Sequence, residues 1–354
     1  MDTRREMMGG VLSSSKLIDN YLTIEALEDG LTASLSTNTC EYCVDFDDNW
    51  KTLAAGTATE SINTGHTLSF KGNLIPNSSS GIGTFTISKK CNLKGNCMSM
   101  LFGDNAANNY SLSGYNSAFR MLFNTAPIVE VSKNFLPATQ LVSDCYRGTF
   151  YTCTYLKNLP DLPATTLVDS CYRGMFFKCA SLTAVANLPA TTLAPDCYNS
   201  MFSGCTSLTT APTLSATTLT EYCYASMFQH CTSLTNAPAL SATTLADRCY
   251  QSMFFGCTSL TTAPTLSATT LVNGCYATLF YNCPKINYIK MLATNVSATD
   301  CLHLWVSGVS NTGTFVKNPA MTTLPTGTSG IPTGWTVVND GEESGGNLIT
   351  FTVG

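Results

Sequence analysis

The sequence predicts a mainly β protein with short helices, in which a solenoid of stacked repeats follows a small antiparallel β-sandwich-like domain. Two observations carry this reading. A strict 26-residue period runs through the centre of the chain, and a series of strand-type runs near its start lacks that period. A fixed period of this length marks stacked supersecondary units, so it governs the fold before any motif does. A third observation is the Gly-, Thr- and Pro-rich C-terminal segment, whose short strand candidates suit a cover for the open end of such a stack.

The elements follow in chain order. Residues 1–19 read as an N-terminal arm with Gly9-Gly10 and Ser13–Ser15 as a flexible hinge. Residues 20–105 hold the runs YLTIEAL, LTASLS, CEYCVDF, HTLSFKG and IGTFTIS, separated by the turn formers EDG, DDNW and PNSSSGIG. Short alternating runs between turn signals predict a small antiparallel sandwich or barrel. Residues 106–310 carry the repeat. Residues 311–354 form the expected β-rich cap, with GTFVK, GWTVV and LITFTV as its strands.

Within the repeat, one cysteine column runs through Cys145, Cys171, Cys197, Cys223, Cys249, Cys275 and Cys301, and a second through Cys153, Cys179, Cys205, Cys231, Cys257 and Cys283. Phe150, Phe176, Phe202, Phe228, Phe254 and Phe280 keep the same step, as do the aliphatic columns that begin at Leu141 and Leu156. In one unit Cys223, Met227 and Cys231 fall at i, i+4 and i+8, which predicts one apolar face on a short helix or helical turn. The following SLTNAPALSATTL is Thr-rich and interrupted by Pro238, and predicts one or two short strands around a bend. No unit buries its apolar face alone; stacking does so.

On a helix, Cys223 and Cys231 would lie about 12 Å apart along the axis, beyond the ~7 Å limit for a disulfide. Pairing between units depends on their spacing, which is ~4.8 Å for strands and 8–10 Å for helices. Free thiols packed as small hydrophobes are the preferred reading. Cys40, Cys43, Cys91 and Cys97 could gather around zinc, but the second spacing is wide and CEYCVDF also fits an ordinary strand. No cofactor is expected.

The pattern C-Y-x-x-M-F-x-x-C-T-S-L-T-x-A-P-x-L-[PS]-A-T-T-L resembles the leucine-rich repeats of the BspA-like type, over about residues 115–310. AFRMLFNTAPIVEVSKNFLPATQL looks like a degenerate opening unit with one extra residue between Phe123 and Leu141. CLHLWVSGVSNTGTF looks like a closing one, with Trp305 in the methionine column and Val309 in the second cysteine column. The resemblance implies a curved solenoid used in binding and adhesion, without catalysis. The whole layout, from MDTRRE to SGIPTGWTV, is similar to leucine-rich-repeat proteins of Bacteroides-type gut bacteria and their phages and prophages.

Composition and motifs narrow the function classes. Charged residues make up 12 %, about half the usual share, and 18 basic against 23 acidic residues give a net charge of −5. No basic stripe is evident that would neutralise phosphates, so nucleic acid is not an expected partner. No apolar run is long enough for a signal-peptide core or a spanning helix, so the expectation is a soluble chain made in a cytoplasm, without membrane insertion. His66, His230 and His303 share no metal-ligand spacing, and G-x-S-x-G, the P-loop and H-E-x-x-H are absent. Asp45, Asp47 and Asp48 read as a strand end entering a polar turn. An enzyme is not expected.

The units form their own internal alignment, separating stacking positions from variable ones. Two variable patches are candidate surfaces: the three residues before each first cysteine, and the column after each phenylalanine, Tyr151, Phe177, Ser203, Gln229, Phe255 and Tyr281. Tyr146, Tyr172, Tyr198, Tyr224, Tyr250 and Tyr276 add a ladder suited to gripping sugar or protein, although a tyrosine at fixed period also fits a stacking residue with its hydroxyl at the rim. The expected function is a virion structural protein, a fibre or decoration subunit. Its arm and N-terminal domain would hold other virion proteins while the solenoid contacts a host-surface glycan or protein. The alternative is a BspA-like bacterial cell-surface adhesin. A fibre favours a homo-trimer, though nothing in the sequence counts subunits.

Overall fold

A computed structural model describes residues 20–342 except 184 and 186; the expected arm and the LITFTV strand lie outside the described residues. The protein is mainly β with few helical residues. Near the N-terminus β1 (Leu22–Ala26), β3 (Cys40–Val44), β4 (Lys51–Leu53), β5 (Thr67–Lys71), β7 (Cys91–Lys94) and β8 (Ile128–Val131) form one sheet in the order β4-β3-β5-β1-β7-β8. β2 (Ala33–Leu35) and β6 (Phe85–Ile87) make a separate antiparallel pair. Phe70 of β5 meets Phe85 of β6 edge-on at 5.0 Å, so the pair packs on the larger sheet through aromatic rings. All five strand-type runs form strands at the expected places, whereas β4 and β7, short and carrying lysines, were not foreseen.

The boundary expected at residues 105 and 106 does not divide the structure. β8 lies beyond it, yet pairs in parallel with β7. The same edge continues into the repeat: Lys157 N donates to the Val129 carbonyl, and the Asn158 side chain bonds both the N–H and the carbonyl of Val131. Side chains cross it too. Phe85 stacks on Phe123 at 5.6 Å and Phe123 on Phe150 at 5.7 Å, and the series continues to Phe280, Trp305 and Phe315. One chain of touching rings therefore links the first sheet to the last strands.

The expected short helix is not a helix. Between Tyr222 and Cys231 alternate N–H groups bond three residues back, as Met227 N does to the Tyr224 carbonyl, while the others reach the following unit. Tyr224, Ser226, Phe228 and His230 donate to the carbonyls of Cys249, Gln251, Met253 and Phe255 at 2.7–3.0 Å. Every fourth residue, Tyr222, Ser226 and His230, sits at φ between 53° and 58°. The segment is a run of four-residue turns. Its side-chain period of 4 buries i, i+4 and i+8 as a helix would, but a helix consumes its N–H groups internally and leaves none to join neighbours. Left-handed non-Gly residues cost about 1–2 kcal/mol each, a cost the inter-unit hydrogen bonds offset.

The opposite side of each unit holds single-residue parallel bridges, among them Thr166 to Thr192, Thr218 to Thr244 and Leu188 to Leu214. Proline explains why they stay so short, since it removes a ladder donor. Where the sequence becomes the proline-free INYIKML, a regular strand appears, β9 (Tyr288–Met291). β10 (Thr314–Lys317) and β11 (Thr336–Asn339) add to it in parallel in the order β9-β10-β11, so the C-terminal segment covers the last unit. Trp305 is fully buried there, its indole N–H donating to the Gly330 carbonyl at 2.8 Å. Phe280 N donates to the Trp305 carbonyl, which puts Trp305 in the methionine column. The opening unit is offset by one residue: Phe119 N reaches the Cys145 carbonyl, where later units step by 25.

Candidate ligand-binding face

The cysteine and tyrosine columns belong to the core. All seventeen cysteines are buried and free. The second column does more than fill space: the Cys179, Cys205, Cys231 and Cys257 thiols donate to the carbonyls of Phe150, Phe176, Phe202 and Phe228 in preceding units, at 3.0–3.2 Å. Burial pushes the Cys145 and Cys205 thiols up to about 12 and Cys223 to about 11. A thiol held protonated is a poor nucleophile and a poor metal ligand. Cys40 and Cys43 lie on β3 and Cys91 on β7, and among the described residues no three His, Cys, Asp or Glu side chains are grouped to hold a metal ion.

The tyrosine ladder corrects an expectation. Tyr146, Tyr172, Tyr198, Tyr224, Tyr250 and Tyr276 are at most 2 % exposed, and their rings stack on one another at 5.8–6.1 Å. Their faces are occupied by neighbouring tyrosines, so no ligand reaches them. The hydroxyls of Tyr146 and Tyr172 are buried without a hydrogen-bond partner. Burial raises the ionisation of all six phenols above the ordinary range.

The column after each phenylalanine is the one that reaches the surface. Tyr151, Phe177, Gln229, Phe255 and Tyr281 are half-buried, whereas Ser203 is enclosed. Tyr151 stacks on Phe177 at 4.6 Å and Phe255 on Tyr281 at 4.7 Å, with His230 edge-on to Phe255. Gln229 and Ser203 interrupt the column and so split it into two aromatic pairs. Turn geometry sets this pattern, because side chains before the left-handed residue point outward while the preceding phenylalanine points in.

Two grooves open on this face. The first, about 340 Å³, is lined by Arg120, Arg147, Arg173, Tyr151, Phe177 and the two glycines Gly148 and Gly174. The second, about 410 Å³, is lined by Arg248, Gln251, Asn273, Asp300 and His303. The residues before each first cysteine, the other variable patch, contribute Arg248 and Asn273 to it. A cavity of about 480 Å³ lies apart, beside Tyr110, Lys133 and Asp161.

The arginine column escaped the sequence reading. Four arginines occur among the described residues, and all four line these two grooves. Arg147 and Arg173 follow the tyrosine in CYRG units, but Arg120 joins them only through the one-residue offset of the opening unit. The Arg147 Nη1 meets Asp144 at 3.1 Å and the Arg173 Nη1 meets Asp196 at 3.3 Å, both arginines being about a third exposed. Arg120 reaches the Ser78 carbonyl at 3.5 Å. His66 pairs with Asp45 on the distant N-terminal sheet.

Compared with known proteins, the chain matches no family model, no curated protein and no solved structure. No helix among the described residues is long and apolar enough to cross a membrane.

Proposed function

We propose that this chain is a non-enzymatic binding protein built on a leucine-rich-repeat solenoid of the BspA-like type, serving as a fibre or decoration subunit of a virion that contacts a glycan or protein on the host surface. One observation carries the binding role: side chains that vary between units, and only those, line the two grooves on one face, while the repeated columns are spent on stacking. A face that differs unit by unit on a periodic scaffold suits recognition. The aromatic pairs and arginines on it are of the types that anchor interfaces.

The virion assignment rests on the sequence resemblance and has its own test. Labelled full-length protein is applied to intact Bacteroides-type cells with unlabelled protein as competitor, and phage particles from the same strains are probed with antibody. Saturable binding together with particle-borne protein is the expected result. Protein found on the cell envelope instead makes the chain a bacterial adhesin, and protein that neither binds cells nor joins particles overturns the proposal.

A further inference from the structure

Stacking brings three guanidinium groups and an aromatic wall to one groove, and we propose that this groove binds a carboxylate-bearing saccharide, an oligosaccharide containing uronic-acid units. The inference rests on the reading of this face as a binding surface and names what it takes.

Three features coincide in the same units. The first is charge. In a chain of net charge −5, Arg120, Arg147 and Arg173 stand in one column. Arg147 and Arg173 each pair with one carboxylate through Nη1, and Arg120 makes a long bond to a carbonyl. A guanidinium has five N–H donors in a planar fork, so donors remain free for a carboxylate. The second is the wall formed by the stacked Tyr151 and Phe177, half-buried, whose inner ring faces cover each other and whose apolar edges can meet the C–H face of a sugar ring, with the Lys178 ammonium over the Phe177 ring at 5.3 Å.

The third is the space itself. Gly148 and Gly174 hold the left-handed turn position at φ 61° and 58°. Later units put Ser200, Ser226 and Ser252 at the same position with φ between 54° and 57°. Glycine is therefore not required by the backbone at position 174. A Cβ there would sit 3.9 Å from the Tyr151 ring, inside the groove.

The backbone favours a saccharide over an acidic peptide. The N–H groups of Arg147, Gly148, Tyr151, Arg173, Gly174 and Phe177 all bond within the stack, to Asp144, Arg173, Gly148, Ser170, Asn199 and Gly174. No strand edge is left for a peptide to extend, so main-chain pairing is closed to it. Asp144 and Asp196 beside the arginines disfavour a dense polyanion such as nucleic acid, and suit carboxylates spaced one per ring.

The test is calorimetric titration of the full chain with oligogalacturonate, its neutral methyl ester, and polyglutamate. Variants are taken from sister units, which already carry these residues in the same turns: Gly174→Ser, and Arg147→Gln combined with Arg173→Asn. Each is expected to raise the Kd for oligogalacturonate by about tenfold or more, the scale of one lost charge-assisted hydrogen bond, while the thermal midpoint falls by no more than a few degrees, the scale of placing serine at a left-handed turn position. Lys285→Gln, which removes an exposed cation outside both grooves, is expected to leave the Kd where it is. The methyl ester is expected to bind at least tenfold more weakly than the free acid. The proposal is overturned if the native chain does not bind oligogalacturonate, if the variants bind as well as the native chain, if the ester binds equally, or if polyglutamate binds more tightly. Cell binding without uronate binding removes this inference and leaves the host-surface reading standing; uronate binding without cell binding does the reverse.

Discussion

The N-terminal sheet and the repeat stack solve the same problem with different means. Both must satisfy backbone donors between neighbours. The sheet does so with antiparallel strands whose outer face carries ion pairs, Glu25 with Lys94, Lys51 with Glu60 and Lys71 with Asp104. The stack does so with turns whose alternate N–H groups cross to the next unit, and fills its interior with thiols and rings. Held-down carboxylates, Glu25, Asp29, Asp45 and Asp104, all belong to the sheet region, and the two long thiol columns belong to the stack. The outer face of the sheet is tuned by charge, and the interior of the stack by exclusion of charge.

Alkaline titration breaks this comparison most severely. Thiols in the unfolded chain ionise near 9, while buried ones hold their protons to about 11 or 12. The folded state then binds more protons than the unfolded one, so stability is intact below 9 and falls as pH rises through the folded values. Each such thiol removes up to about 1.4 kcal/mol per pH unit. Circular dichroism melts between pH 8 and 11 should show a steep drop in midpoint, and a flat profile would place the thiols in water.

A cavity in the ring series comes next. Phe202→Ala should cost about 3–5 kcal/mol by chemical denaturation. Because contacts run only between neighbouring units, protection from hydrogen exchange should fall first around units 176–254 and least in the N-terminal sheet. Cys205→Ala, which loses the bond to the Phe176 carbonyl and a small buried volume, should cost about 1 kcal/mol. Ser226→Gly should stabilise by up to about 1 kcal/mol by relieving the left-handed turn position, as glycine already does in the units of Gly148 and Gly174. Acid provides the smallest effect and the opposite sign. The four sheet carboxylates are lowered; burial alone would raise Glu25, Asp45 and Asp104, and hydrogen bonds from their partners outweigh it. Their contribution is present above the unfolded carboxylate range of about 4 and is lost as pH falls through the folded values. Amide exchange near pH 3 should therefore rise in β1 and β5 before it rises in the stack.

How much of this was legible follows from which side chains repeat. The Cys and Phe columns are buried in every unit, and the Leu columns in every unit but that of the partly buried Leu141, so their period announced the stack, and the five alternating runs announced their strands. The backbone between them was not legible from apolar spacing, because a four-residue turn and a 3.6-residue helix bury nearly the same positions. A signal existed in the polar residues: Asp144, Gly148 and Thr152, or Asp196, Ser200 and Gly204, recur at the step of four where left-handed turns fall, and Asp and Gly favour that region. The tyrosine ladder was a candidate grip although its fixed period fitted a stacking column better, and burial places it in the core. The arginine groove was hidden because only two of its three guanidiniums keep the period, the third being displaced by the extra residue of the opening unit. β8 was hidden because its partner, β7, lies outside the repeat.

The step of each unit also makes the molecule a ruler. Every internal coil offers its predecessor the same set of carbonyls that its own N–H groups find on its successor, and the rings advance by about 5.8 Å per coil. Units 197–222, 223–248 and 249–274 are nearly interchangeable in sequence. Unequal recombination between the matching stretches of units 197–222 and 223–248, confined to the residues between Ser200 and Arg248, would add or delete a coil, leaving both ends and both grooves intact while changing the distance between them. Reach can thus be inherited as a count, separately from what the face recognises.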